Sequence, residues 1–252
     1  MTGGVEEGRY FLKDSVRKVT DFAATPQSRG VPPPPVQKPF PSEALRFPLP
    51  APGEFGALGK MGVYDAVRRR RSRRNFSPEP LGLAELSFLL WAVQGVRRTL
   101  SPAAVLRTVP SAGCRHPLET YLLAFRVGSL EPGVYRYLPL GHELLFEFAV
   151  PDLAARLVRG VLGQEFAARA AAVFVWSAVP SRTEWRYGGA SHKVIALDAG
   201  HACQNLYLAC ESIGAGTCAV AAYDQEEMDR LLRLDGAEEF VVYLAPVGRV
   251  GP

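Results

Sequence analysis

The chain has 252 residues, 48% of them hydrophobic and 21% charged, enough to bury a sizeable core without requiring a second domain. Its net charge is +4, and six arginines fall in one short stretch, so the balance without them would be −2; basicity that local argues for one anion site over a broad nucleic-acid face. No apolar run approaches the ~18 residues of a membrane-spanning helix, and Glu6 and Glu7 stand where a signal peptide would carry its apolar core, which predicts a cytoplasmic protein.

Leu12, Val16, Val19 and Phe22 recur at helical spacing and predict a short amphipathic helix within residues 8–22. Residues 26–52 hold ten of the chain's 21 prolines, including Pro32, Pro33, Pro34 and Pro35. Proline lacks an amide donor and fixes φ, so regular helix and central strand are excluded there. The segment is either a linker or an extended arm laid over a neighbouring subunit. The division that follows is residues 1–60 for the N-terminal helix and arm, and 61–252 for the folded domain.

Val63, Ala66 and Val67 predict a short helix with the arginines leaving its last turn. In Arg68-Arg69-Arg70-Arg71-Ser72-Arg73-Arg74 a hydroxyl flanked by guanidiniums on a turning backbone suits a phosphate. Arg70 and Arg74 can fork onto its oxygens while Ser72 donates a third hydrogen bond. A solvated charge run or a nucleic-acid patch would use the same residues, and spacing does not decide among the three.

Pro78 and Pro80 break the chain before Leu83, Leu86, Leu89, Leu90 and Val93, a helical stripe that ends at Gly95. Pro110-Ser111-Ala112-Gly113 is a turn of small residues ahead of an apolar strand at 121–127. Such a turn lets a flat ring approach the backbone, and equally makes an ordinary strand entry. Strands are predicted at 133–137 and 143–148, with His142 between them, and a helix begins near Pro151 and Asp152. The continuous apolar run 171–179 reads as a central strand. Ala199, Cys203, Leu206, Cys210 and Ile213 make one stripe of a helix over 198–213, closed by Gly214. Gly214-Ala215-Gly216-Thr217 opens a strand through Tyr223, and a lone G-x-G is weak evidence for a nucleotide. Asp224 caps a helix to Leu234, and 240–245 is the last strand.

Cys114, Cys203, Cys210 and Cys218 form no C-x-x-C pair, so neither zinc nor a disulfide framework is expected. His116, His142, His192 and His201 each have a local structural explanation, and no G-x-S-x-G elbow occurs.

Arg70-Arg71-Ser72-x-Arg74-x-Phe76 resembles the opening motif of the nitroreductase superfamily of flavin enzymes. The later segments are similar, in order, to its SagB-type branch, dehydrogenases that oxidise azoline rings in modified peptides. They are Leu90-Trp91-Ala92-Val93-Gln94-Gly95, the Pro110–Gly113 turn, Arg186-Tyr187, the helix words from Asp198 to Leu206, Gly214-Ala215-Gly216, and the ending at Arg249. The resemblance implies an α+β fold with a mostly antiparallel central sheet flanked by helices, in an intertwined homodimer with FMN at the interface. It favours the arm reading of the proline-rich segment and implies no metal. It assigns the FMN phosphate to Arg70, Arg71, Ser72, Arg74 and Arg249. Pro110, Ser111, Ala112, Gly113, Gln204, Gly214, Ala215 and Gly216 are its implied contacts to the rest of the flavin. Read as residues alone, His201 and Gln204 are packed, hydrogen-bonded helix residues and Arg249 is a surface charge.

Azoline dehydrogenases carry a Lys-Tyr pair where this chain has Arg186-Tyr187. Arginine stays protonated above ~12 and does not readily take a proton, so Tyr187 is the candidate acid or base and Arg186 its electrostatic partner. The structural alternative, Trp185 and Tyr187 packing at a helix start, stays open. Three functions follow. The favoured one is an FMN-dependent dehydrogenase acting on a small molecule or modified peptide, with neither nucleic acid nor membrane as partner. The others are an NAD(P)H-dependent nitro or quinone reductase on the same fold, and an anion or nucleic-acid-binding module built on the arginines.

Overall fold

A computed structural model describes residues 3–101 and 103–251. Its elements in chain order are α1 (Gly3–Leu12), β1 (Arg46–Pro48), α2 (Val63–Arg69), α3 (Leu83–Gln94), β2 (Val96–Ser101), β3 (Ala104–Arg107), β4 (Leu118–Ala124), β5 (Gly133–Leu138) and β6 (Glu143–Phe148). There follow α4 (Leu153–Gly160), α5 (Phe166–Arg169), β7 (Ala172–Ala178), α6 (Ser181–Tyr187), α7 (His192–Ser212), β8 (Ala215–Thr217), α8 (Gln225–Leu232) and β9 (Phe240–Arg249). A seven-stranded sheet runs in the order β1-β6-β5-β4-β7-β9-β8, with every pairing antiparallel. This is the α+β architecture expected from the sequence. No helix among the described residues is long and apolar enough to cross a membrane.

β7 is central and buried throughout because both sheet faces are covered, which is why its sequence is an unbroken apolar run. Phe174 and Trp176 join the core made with Leu86, Leu90 and Val93 of α3 and Ala202, Cys203 and Leu206 of α7. Val173 and Val175 face the other way, onto Leu153 and Leu157 of α4 and Met228, Leu231 and Leu232 of α8.

Several boundaries differ from expectation. The helix predicted within 8–22 is α1, ending at Leu12, followed by a short 3-10 turn at Asp14–Lys18. α7 starts at His192, six positions before Asp198, because Ile195 extends the buried stripe by one turn. The strand predicted from Gly214 through Tyr223 stops at Thr217, and β9 runs on to Arg249. Arg186 and Tyr187 end helix α6, whereas the structural alternative had placed Tyr187 at a helix start, and Gly188 at φ 52 terminates it.

The proline-rich segment is extended and packs against its own chain. Prolines leave backbone carbonyls without matching donors, and buried arginines supply them. Arg107 Nη2 donates to Val36 O at 2.6 Å, while Arg136 donates to Lys38 O at 2.9 Å and Pro39 O at 3.2 Å. Trp185 Nε1 reaches Val31 O at 2.7 Å. In return the Lys38 amide donates to Glu119 at 2.7 Å and its ammonium pairs with Glu239 at 2.5 Å.

Candidate functional site

After α2 the chain turns extended, and Ser72 bridges to Thr217 beside β8. The Arg73 amide donates to Thr217 O at 2.9 Å, and the Arg73 side chain turns inward to fork onto Glu211 with two bonds of 3.1 Å. Arg74 and Ser72 therefore stay exposed. The Arg70 guanidinium sits 5.3 Å from the Tyr207 ring centroid, and that of Arg74 sits 5.7 Å from Phe166. Ser72 Oγ is 3.0 Å from Tyr207 Oη, which itself accepts the Ala219 amide at 2.8 Å. With Tyr207 donating to Ser72, the serine hydrogen is left for an outside acceptor.

The six arginines thus divide. Arg68 pairs with Asp65 at 3.2 Å and Arg73 with Glu211. Among the described residues Arg69, Arg70, Arg71 and Arg74 meet no carboxylate. Ser72, Arg74 and Asn75 line a cleft of about 360 Å³ together with Arg73, Val250 and Gly251. A hydroxyl beside uncompensated guanidiniums is a donor set that fits the phosphate of FMN. Arg249 is occupied otherwise: it donates to Ile213 O at 2.8 Å and pairs with Glu85 at 2.5 Å. Of the Gly214-Ala215-Gly216 turn, only Gly214 is exposed. A Cβ on Gly216 would lie 2.6 Å from both Arg73 Cδ and Val250 Cγ1, so close packing with this chain's own side chains accounts for that glycine.

A second cluster forms around the Pro110–Gly113 turn. Ser111 Oγ donates to Asp198 at 2.6 Å and accepts the His116 amide at 2.9 Å, and the Ala112 amide reaches Asp198 at 3.4 Å. Burial pushes the Asp198 carboxyl up against the lowering effect of these bonds. Sequence reading missed Asp198 because an acid on the first turn of the expected helix needs no explanation there. The turn is tight: Gly113, Cys114 and His116 have φ of 59°, 55° and 48°. A Cβ on Gly113 would stand 2.7 Å from Tyr187 Oη and 2.8 Å from Arg186 Cδ. The structure therefore brings Gly113, Arg186 and Tyr187 together across more than seventy positions of sequence. The guanidiniums of Arg186 and Arg17 lie 5.6 and 5.9 Å from the Tyr187 ring centroid. Beneath the turn, His116 Nε2 is 3.0 Å from Val105 O. Burial, then the charges of Arg107, Arg115 and Arg182, lower its pKa to about 3.

Both clusters hang on α7, at separate places. Tyr207 and Glu211 lie 9 and 13 positions beyond Asp198. At ~1.5 Å per residue that is roughly 14–20 Å along the axis. Leu197, Gly200, His201 and Gln204 occupy the exposed face of the helix. One copy of the chain thus separates the residues expected at the phosphate from the Pro110–Gly113 turn expected at the flavin.

The model of the nitroreductase family matches residues 67–249. A protein of Methanocaldococcus jannaschii named as a nitroreductase is 35% identical over 192 residues, covering 76% of this chain and 93% of that protein. A solved structure from Ralstonia eutropha JMP134, also named as a nitroreductase, superposes with TM-score 0.68 at 27% identity, covering 88% of this chain and 99% of the other. The fold also matches a chain of the E. coli microcin synthetase McbBCD complex with truncated pro-MccB17 bound, across 98% of both chains, with TM-score 0.61 at 19% identity. Ser72 with its uncompensated arginines and the Asp198-anchored turn all fall inside the matched residues, and on that match, joined by the archaeal relative, the chain belongs to the nitroreductase family of oxidoreductases.

Proposed function

We propose that this oxidoreductase binds FMN between two copies of the chain and exchanges hydride with a small organic group, an azoline ring of a modified peptide in the first instance. The carrying observation is the uncompensated charge of Arg70, Arg71 and Arg74 around the exposed Ser72, while Arg68 and Arg73 are paired with Asp65 and Glu211. When bound, FMN supplies the hydride acceptor or donor. Arg70, Arg71, Arg74 and Ser72 hold its phosphate through charge-assisted hydrogen bonds. The small residues of the Pro110–Gly113 turn, pinned by Asp198, let Tyr187 and Arg186 approach its backbone closely. Tyr187 Oη exchanges the substrate proton, and Arg186 and Arg17 flank its ring without being able to act as bases. The N-terminal helix and arm, residues 1–60, precede the domain at 61–252 and bring Arg17 to this machinery.

The separation of the two clusters along α7 supports a homodimer, in which a second copy brings its own turn toward this chain's arginines. Apolar side chains on α2 and α7 are available for that contact: Val63 is 75% exposed, Tyr64 76%, Val67 57% and Leu197 54%. A peptide substrate is supported by the likeness to the microcin synthetase complex with its bound peptide. The name of the archaeal relative favours the second reading, an NAD(P)H-dependent nitro or quinone reductase.

Purified protein is expected to be yellow and to release FMN on denaturation. Arg70→Ala with Arg74→Ala should strip the flavin, since each lost charged hydrogen bond is worth ~1.5–3 kcal/mol, while Arg68→Ala should keep it. Full occupancy in the double variant would overturn the phosphate assignment. Oxidation of an azoline peptide against NAD(P)H turnover with a quinone or nitroaromatic separates the two readings.

A further inference from the structure

Arg115 stands apart from the flavin assignment. It is 8% exposed, its Nε donates to Gly113 O at 3.2 Å, and its guanidinium stacks 5.0 Å from the Trp185 ring centroid. Among the described residues no carboxylate pairs with it or with Arg186. The two cations nevertheless meet at the same glycine, because a Cβ on Gly113 would also lie 3.0 Å from Arg186 Nε. Burial and then the nearby Arg186 charge lower the Arg115 pKa.

Nearby acids are already engaged. Glu119 serves Arg182 and Arg136, and Glu184 holds His192 at 2.9 Å. Asp198 takes Ser111 and Ala112, while Asp14 takes Arg17 at 2.9 Å. Two like charges held together by packing, one of them largely buried, repel each other unless an anion joins them. Stacking on Trp185 fixes the plane of the Arg115 fork, whose outer nitrogens remain to donate.

We propose that Arg115 and Arg186 form an anion subsite beside Tyr187 that seats a carboxylate or phosphate group of the substrate. The assignment to substrate rests on the flavin-oxidoreductase reading; the anion site itself does not. Such a site selects substrates carrying an oxyanion next to the group that reacts, such as a peptide segment with an acidic side chain or a free carboxyl terminus.

Isothermal titration calorimetry of the purified protein with benzoate, its neutral isostere benzamide, and inorganic phosphate tests the site. Benzoate or phosphate should bind at least about 10-fold more tightly than benzamide, the loss expected when a charge-assisted hydrogen bond is removed. Whichever of the two binds more tightly identifies the group. Arg115→Gln should weaken that anion roughly 10–100-fold. Arg186→Gln, at an exposed side chain, should weaken it in the same direction and serves if the buried substitution fails to fold. Equal affinity for benzoate, phosphate and benzamide, or anion binding that both substitutions leave intact, overturns the proposal. A colourless preparation that still binds the anion through these arginines keeps the subsite and sinks the flavin reading, while a flavin-loaded protein indifferent to charge does the reverse.

Discussion

A side chain at position 113 has nowhere to go. Gly113 needs φ 59°, and its missing Cβ is the space in which Tyr187 Oη and Arg186 sit. Gly113→Ala should destabilise the fold by ~1–3 kcal/mol through strain and displacement, read as a fall in the thermal midpoint. Tyr187→Phe keeps the ring packing and removes the hydroxyl, so the protein should retain FMN and lose most substrate oxidation; a wild-type rate would make Tyr187 structural. Arg186→Lys restores the base that azoline dehydrogenases carry and should be tolerated or improve turnover of azoline peptides. His116 makes a pH prediction. Its folded pKa of about 3 lies below the ordinary 6.5, so its contribution is complete above 6.5 and fades as pH falls from there toward 3. At ~1.4 kcal/mol per unit, stability should fall by several kcal/mol across that window. Denaturant midpoints measured between pH 7 and 4 check this, and His116→Asn should flatten the slope.

At the scale of elements, the arginine segment joins two jobs on adjacent positions. Arg73 ties the extended segment after α2 to α7 through Glu211, which is 7% exposed at its side chain. Arg73→Ala strands that carboxylate and should cost ~1–3 kcal/mol in stability. The Arg70→Ala and Arg74→Ala pair, which breaks no ion pair, should lose FMN with little change in unfolding midpoint. Denaturation and flavin content measured on both variants separate anchoring from binding. The proline-rich segment follows the same logic of donors and acceptors. Arg136→Ala removes the donors to Lys38 O and Pro39 O and unpairs Glu147, so protease cleavage within residues 31–50 should become faster.

At the scale of the molecule, α7 is the frame on which everything else is placed. It forms the core beneath β7, anchors the Pro110–Gly113 turn at Asp198 and anchors the arginine segment at Tyr207 and Glu211. Its outer face, with Leu197 54% exposed, is the surface we propose for contact with a second copy. Light scattering at micromolar concentration should give twice the 27.4 kDa chain mass. Leu197→Asp should shift the protein toward monomer and lower its FMN content, because a charge forced into an apolar contact must be desolvated. A monomer that binds FMN as tightly as the parent would end the shared-site reading.

Sequence alone determined what local chemistry and periodicity carry. The unbroken apolar run gave β7, the leucine stripe gave α3, and Asp224 capped α8 through the Glu227 amide at 2.9 Å. The tertiary structure decided what depends on partners far along the chain. Six neighbouring arginines are chemically alike in sequence, yet Arg73 is neutralised by Glu211, 138 positions away, while Arg74 is left free of any carboxylate among the described residues. The proline-rich segment could be placed only once Arg107 and Arg136 were seen to reach its carbonyls, 71 to 98 positions away. Ser111 and Asp198, or Gly113 and Tyr187, likewise meet through the packing of α6 and α7. Periodicity reports which face of an element is buried; it holds no information on which distant element supplies the opposite charge or the missing donor.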